Sequence, residues 1–317
     1  MANLTVSAAD EKRVKALGFL RNKGTDNFSG RIITVNGKIT AAQNKCISEA
    51  AELFGNGNIT FTSRLTVEVQ GIPYDKIEDF RAYIAKEGLV TGGTGSKVRL
   101  VVSCKGTTCQ YGTIDTFALS EEIHKRFYEG YSDVRLPHKF KIGVGGCPNN
   151  CVKPDLNDLG IVGQMVPNYD EDECVGCKKC SVEEVCPIGA AKVIDGVLTI
   201  DMEECNNCGR CIGQCHFDTI EDGVVGYKVY IGGRWGKRVA RGKPLSKIFT
   251  DKKEALDIVE KAILLYREQG KTGERFVESI ERIGFENVEA QLLANDLLDR
   301  KQEILDAQLH LAGGATC

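Results

Sequence analysis

No run in this chain approaches the roughly 18 consecutive apolar residues that a membrane span requires. The first residues, Met-Ala-Asn-Leu-Thr-Val, show no basic stretch followed by an apolar one, so the expectation is a cytoplasmic protein without membrane contact. Histidine is scarce. The four, at positions 124, 138, 216 and 310, lack ligand spacing and are read as structural or surface residues. Charge of one sign is missing as well: 41 Lys and Arg against 44 Asp and Glu, interspersed, remove the basic footprint of a nucleic-acid binder. Nucleotide signatures are also absent. Residues 91–97, Thr-Gly-Gly-Thr-Gly-Ser-Lys, put no lysine directly after the last glycine and no Ser or Thr after the lysine, so they read as a linker. No fingerprint marks a flavin or nicotinamide site, so any electrons this chain uses come from elsewhere.

Cysteine, by contrast, is abundant and clustered, with fourteen in 317 residues. In a chain without an export signal, clustering favours metal ligation over a disulfide framework. Cys174, Cys177, Cys180 and Cys186 precede Cys205, Cys208, Cys211 and Cys215, which is two C-x2-C-x2-C runs, each with one further cysteine. That spacing wraps a short loop around three corners of a four-iron, four-sulfur cubane, the fourth cysteine of each run serving the other cluster. One set is then Cys174, Cys177, Cys180 and Cys215, and the other Cys205, Cys208, Cys211 and Cys186. Pro187 fits this pattern, whereas five residues rather than three precede Cys186, and His216 stands where a second proline is usual. Structural zinc is the rival reading, but zinc ribbons use pairs of cysteines rather than triplets. Cys104 and Cys109 upstream in C-x4-C, with Cys147 and Cys151 in C-x3-C, point to a third cluster, with buried core thiols as the rival reading of their spacing alone. Cys46 lies on an apolar helix face and Cys317 at the terminus, and neither is assigned a metal.

Along the chain, residues 10–20 suit a short helix, and residues 31–40 read as a hairpin about Asn36-Gly37. Helical spacing marks residues 41–54. Residues 59–70 are β-rich, and Pro73 opens a helix to about residue 86 with Ile77, Phe80 and Ile84 on one face. Residues 98–103 and 139–144 read as strands leading into the outer cysteine pairs, with Lys139 and Lys141 on one strand face. Strand returns at residues 224–233. From Asp251 the chain is helical, packing Ala255, Ile258, Val259, Ala262 and Ile263 inward.

Cys104-Lys-Gly-Thr-Thr-Cys109, with Tyr111-Gly112, and Leu136-Pro-His-Lys-Phe-Lys-Ile-Gly-Val-Gly-Gly-Cys-Pro-Asn-Asn-Cys151 resemble the sirohaem-dependent sulfite and nitrite reductase family. The resemblance covers residues 30–310 and is strongest to the small sirohaem-containing subunit of anaerobic, dissimilatory-type sulfite reductases. It implies an α+β fold: a ferredoxin-like N-terminal unit over residues 1–92, a sirohaem and four-iron cluster unit over 93–167 and 219–317, and an inserted two-cluster ferredoxin over 168–218. It also implies that Cys104, Cys109, Cys147 and Cys151 hold the cluster coupled to sirohaem, with Cys151 bridging to the sirohaem iron. Arg64, Arg99, Lys139 and Lys141 match the family's substrate-facing cations. Arg31, Asn149, Lys153, Arg234 and Arg238, with Lys237, are weaker candidates for pairing the sirohaem carboxylates.

The implied reaction is six-electron reduction of sulfite to sulfide, using sirohaem and three four-iron clusters. Lysine is the expected proton donor, because arginine does not deprotonate. Electrons would come from iron-sulfur and flavin reductase subunits or a soluble ferredoxin. Larger relatives contain two pseudo-symmetric copies of the unit that this chain has once, which implies a homodimer. Two alternatives remain: nitrite reduction with the same cofactors, and a pure iron-sulfur electron carrier.

Overall fold

The computed structural model describes residues 6–310. Ser7 caps α1 (Ala8–Ala16), accepting from Asp10 N. The sequence pattern extends this helix to residue 20, but Gly18 at φ +98° ends it, and Phe19–Arg21 become β1. With β2 (Asn27–Ile32), β3 (Ile59–Phe61) and β4 (Val67–Pro73) this strand builds an antiparallel sheet in the order β1-β2-β4-β3. Helix α2 (Ala41–Phe54) begins at a Thr40–Gln43 capping box, and α3 (Ile77–Ala85) follows a single 3-10 turn after Pro73. Their apolar faces close a core around Phe28, Ile47, Val69, Phe80 and Ile84.

The hairpin expected over residues 31–40 is reduced to one Val35–Lys38 pair around Asn36 and Gly37, both at positive φ. Its backbone is used differently. Ile33 N donates to Val90 O, and Asn36 Nδ2 donates to Ser120 Oγ at 2.9 Å, docking this unit on the next. The glycine-rich stretch 91–97 joins the units and is itself tied down, with Gly93 N donating to Tyr128 Oη and Thr94 Oγ1 to Lys15 O.

The second sheet runs β11-β10-β7-β6-β5. Strands β5 (Val102–Ser103), β6 (Ile142–Gly145) and β7 (Leu159–Pro167) are parallel, while β10 (Gly223–Ile231) and β11 (Lys243–Phe249) continue it antiparallel. Both β5 and β6 start later than the sequence suggests. Residues 97–99 and 139–141 are extended but joined by only a few bonds, such as Arg99 N to Phe140 O at 2.7 Å. Alternation survives, however, since Phe140 is buried in the core between the two half-buried lysines. Helices α4 (Thr116–Ile123) and α6 (Lys252–Gln269) pack on the sheet, and the C-terminal helices α7 (Phe276–Ile283) and α8 (Phe285–Leu293) pack against α6. Asp251 caps α6, whose Ala255, Ile258, Val259, Ala262 and Ile263 are buried as the spacing predicts.

Between β7 and β10 the chain leaves the sheet at Pro167 and returns at Gly223, which is Pro167's antiparallel partner. An excursion entered and left at paired residues does not disturb the sheet. It holds α5 (Ser181–Val185) and the hairpin of β8 (Ala191–Ile194) and β9 (Val197–Ile200), closed on Val182, Ala191, Leu198 and Ile220. The whole is a mixed α and β fold. No helix among the described residues is long and apolar enough to cross a membrane.

Candidate cofactor and active site

Cys104 directly follows β5 and Cys147 lies just beyond β6, so parallel strands deliver both loops to the same sheet end. The loops touch backbone to backbone. A Cβ on Gly106 or on Gly146 would come within 2.8 Å of the other's Cα, so only glycine allows this approach. Gly146 N donates to Cys104 Sγ at 3.1 Å. Burial pushes the Cys147 thiol up; the Asn149 N–H opposes this, and the neighbouring Cys104, Cys151 and Cys109 push it further up. Thiols that resist each other's ionisation fit a cationic metal cluster, which neutralises them together.

Within the insert, Cys186, Cys205, Cys208 and Cys211 line one small cavity. Burial pushes Cys211 up to about 11, aided by Cys205, Cys208 and Cys186. Burial also pushes Cys186 up, but backbone N–H groups of Ala191, Ile188, Ala190 and Gly189 outweigh it and hold the thiol below its ordinary value. Cys174 Sγ accepts from Leu198 N at 3.3 Å, and Cys215 Sγ lies 3.3 Å from Thr219 Oγ1. Cys174, Cys180 and Cys215 pack on the insert's core, whereas Cys177 is exposed. The described cysteines are all free, and among the described residues no three His, Cys, Asp or Glu side chains converge on a single-ion site. Cys46 is buried in the N-terminal core, and Cys317 lies outside the described residues.

At the opposite end of the same strands stand the cations. Arg64 reaches over from the first unit to donate to Asn157 Oδ1 at 3.0 Å, Ile142 O at 3.2 Å and Leu100 O, while its Nε is buried without an acceptor. Arg99 donates to Gly95 O and Gly93 O, and Arg31 pairs with Glu68 at 2.7 Å. Burial lowers Arg64 and Arg99 to about 10 each, with Arg31 contributing to both. Lys139 is lowered by burial, Arg275 and Arg99. Lys141 falls to about 8 through burial, then Arg64, Lys139 and Arg275. Neither ammonium has a hydrogen-bond or ion-pair acceptor among the described residues.

Arg275 escapes sequence reasoning, although it belongs to this group. It is buried, as is Asp158, with Nη2 at 2.8 and 2.9 Å from the two carboxylate oxygens, and its Nε lacks an acceptor. Asp158 Oδ2 accepts from Lys141 N at 2.9 Å as well. From sequence, Arg275 is only the residue that starts α7, paired to Glu278 in a helix cap. Of the weaker candidates, Arg234 stands within electrostatic reach of Lys139 but is ion-paired to Glu278 at 2.7 Å. Arg238 is 79% exposed and 3.7 Å from the same carboxylate. Lys237, Asn149 and Lys153 are exposed, the last in left-handed backbone at φ +49°.

The cations and the cysteine loops therefore stand apart along the same strands. Five residue steps along β6, about 17 Å at the strand rise, divide Lys141 from Gly146 beside Cys147.

Residues 94–298 match the nitrite and sulphite reductase 4Fe-4S domain, and residues 21–87 match the nitrite/sulfite reductase ferredoxin-like half domain. The coenzyme F420-dependent sulfite reductase of Methanocaldococcus jannaschii is 33% identical over 244 residues, 76% of this chain and 38% of that protein. An anaerobic sulfite reductase subunit of Salmonella typhimurium is 31% identical over 147 residues, 42% of either chain. The chain thus spans less than half the length of these two relatives. The crystal structure of dissimilatory sulfite reductase I superposes with a TM-score of 0.67 at 20% identity, covering 92% of this chain and 73% of the other, which is a likeness of fold.

Proposed function

Because this chain belongs to the nitrite and sulfite reductase family, we propose that it reduces sulfite to sulfide at a sirohaem coupled to one four-iron cluster, with two further clusters in the insert delivering electrons. The observation that carries the reading is the positive charge at Lys139, Lys141 and Arg64, none of which is ion-paired among the described residues. The two half-buried ammonium groups have no protein acceptor among the described residues, and Arg64 donates only to neutral oxygens. Buried cations need partners, and a polycarboxylate cofactor with an oxyanion substrate supplies them.

Sirohaem, when bound, supplies the iron at which six electrons reach the oxyanion. Cys104, Cys109, Cys147 and Cys151 would hold the coupled cluster, with Cys151 bridging; Arg31, Asn149, Lys153, Arg234 and Arg238 would face the macrocycle's carboxylates. Arg64 and Arg99 hold substrate charge. Lys141, lowered to about 8, can give a proton to a departing oxygen and regain one near neutral pH. Lys139 stands beside it in the same role.

A homodimer completes the site in this reading. With cations and cysteines at opposite ends of β6, the lysines of one protomer would face the cysteine loop of its partner. Iron-sulfur and flavin reductase subunits, or a soluble ferredoxin, would deliver the electrons.

The test is the visible spectrum of an acid-acetone extract of anaerobically purified protein, with sulfide release from sulfite under reduced methyl viologen. An isobacteriochlorin and sulfide are expected. Intact clusters with no tetrapyrrole would leave an electron carrier, and faster turnover of nitrite than of sulfite would reassign the substrate.

A further inference from the structure

Strand β7 sets the distance between two groups of cysteines. Gly163 sits against the Cys147 loop, where a Cβ would lie 2.7 Å from Gly146 O and 2.6 Å from Thr113 Oγ1. Two residues on, Met165 N donates to Asn207 O at 2.8 Å, and Met165 pairs with Cys208 in a parallel bridge. Residues two apart on a strand share a face and lie about 7 Å apart. The loops carrying Cys147 and Cys208 are therefore fastened to adjacent same-face positions of one strand. Both thiols line the same cavity, of about 300 Å³. At this junction the Arg210 guanidinium, between Cys208 and Cys211, lies 5.3 Å from the ring centroid of Tyr111, two residues past Cys109.

The other insert set has none of these ties. Cys174, Cys177, Cys180 and Cys215 are absent from the shared cavity, Cys177 is exposed, and Val175 and Phe217 beside them are 60% and 48% exposed. Resting on the reading of the cysteine groups as four-iron clusters, we propose that the insert is polarised. The cluster on Cys186, Cys205, Cys208 and Cys211 is the inner relay to the sirohaem-coupled cluster, and the one on Cys174, Cys177, Cys180 and Cys215 is the outer port. A low-potential one-electron donor reduces the outer cluster. That cluster is reoxidised as the inner one is reduced, and the inner one as the sirohaem-coupled one is reduced, one electron at each step with no bond or proton moved. Arg210 is a positioning residue here. It clasps the two loops through Tyr111 and adds positive charge beside the inner cluster, which raises its potential relative to the outer one.

The test uses the full chain, purified anaerobically, partly reduced with dithionite and read by low-temperature EPR. Cys177→Ser and Cys208→Ser are each expected to lose one ordinary four-iron signal. Dipolar broadening between the sirohaem-coupled cluster and its neighbour should vanish in Cys208→Ser and persist in Cys177→Ser; the reverse pattern overturns the proposal. Arg210→Gln leaves every thiol in place and covers a failure of Cys208→Ser to fold. It should shift downward the midpoint potential of the cluster whose signal Cys177→Ser retains, and a shift confined to the other cluster, or none, counts against polarity. Wild-type protein without sirohaem, or with iron for a single cluster, would instead sink the functional reading beneath it.

Discussion

Arg275 Nη2 lies 2.8 and 2.9 Å from the two oxygens of Asp158, and one of those oxygens also accepts the backbone N–H of Lys141 at 2.9 Å. Their side chains are 7% and 0% exposed. Burial pushes the Asp158 carboxyl up from the usual carboxylate range, against the pull of Arg275 and the Lys141 N–H. Breaking such a pair from one side strands the other charge. Asp158→Asn and Arg275→Met should each cost about 3–5 kcal/mol, whereas Asp158→Leu with Arg275→Met should cost less than either alone. Denaturation midpoints of the three variants decide this.

Lys139→Ala and Lys141→Ala are expected to lose most sulfite turnover while the visible cofactor spectrum stays that of the wild type. Neither ammonium holds another protein group, so truncation removes charge without unpinning the fold. Unchanged turnover would remove both residues from the active site.

Turnover should fall as pH rises through about 8. Burial and neighbouring cations lower Lys141 to about 8 from an ordinary lysine's 10.5, so its charged, proton-bearing form is present below that pH and lost above it. In Lys141→Arg, sulfite KM should lose this alkaline rise because guanidinium stays charged, while kcat drops because it does not give up a proton. A pH profile of kcat and KM measured separately tests both parts.

Gly106→Ala and Gly146→Ala should purify with about one cluster's iron missing per chain. Each added methyl meets backbone at 2.8 Å, which forces apart the loops that carry Cys104 and Cys147. Iron and labile sulfide assays read the loss; full cluster content in both variants would mean that the close approach is dispensable.

If the lysines of one protomer serve the cysteine loop of its partner, Lys141→Ala and Cys151→Ala chains should complement each other. Random assortment gives heterodimers with one intact site, for about a quarter of wild-type activity, since a two-fold interface pairs each patch with its counterpart. Inactivity of the co-expressed mixture, or a monomer by sedimentation with cofactors retained, would refute the shared site.

Local features were legible in the sequence because covalent geometry determines them. Two residues between cysteines settle which thiols one loop can present, and the helical spacing of residues 41–54 marks α2 to the residue, since its period repeats over a few turns of contiguous chain. Gly18 shows the limit of that reasoning: residues 10–20 carry a helical pattern, but backbone at φ +98° turns the chain into β1. What lay beyond the sequence depends on sheet pairing between distant segments. Asp158 and Arg275 meet across 117 positions. The cations and the outer thiols fall at opposite ends of β6 because parallel pairing aligns β5 with β6. Met165 meets Cys208 because β7 and β10 pair over their full length and leave the insert one place to fold back. Spacing along the chain determined which cysteines one loop can present; only strand register, a property of segments far apart in sequence, decided which groups face one another.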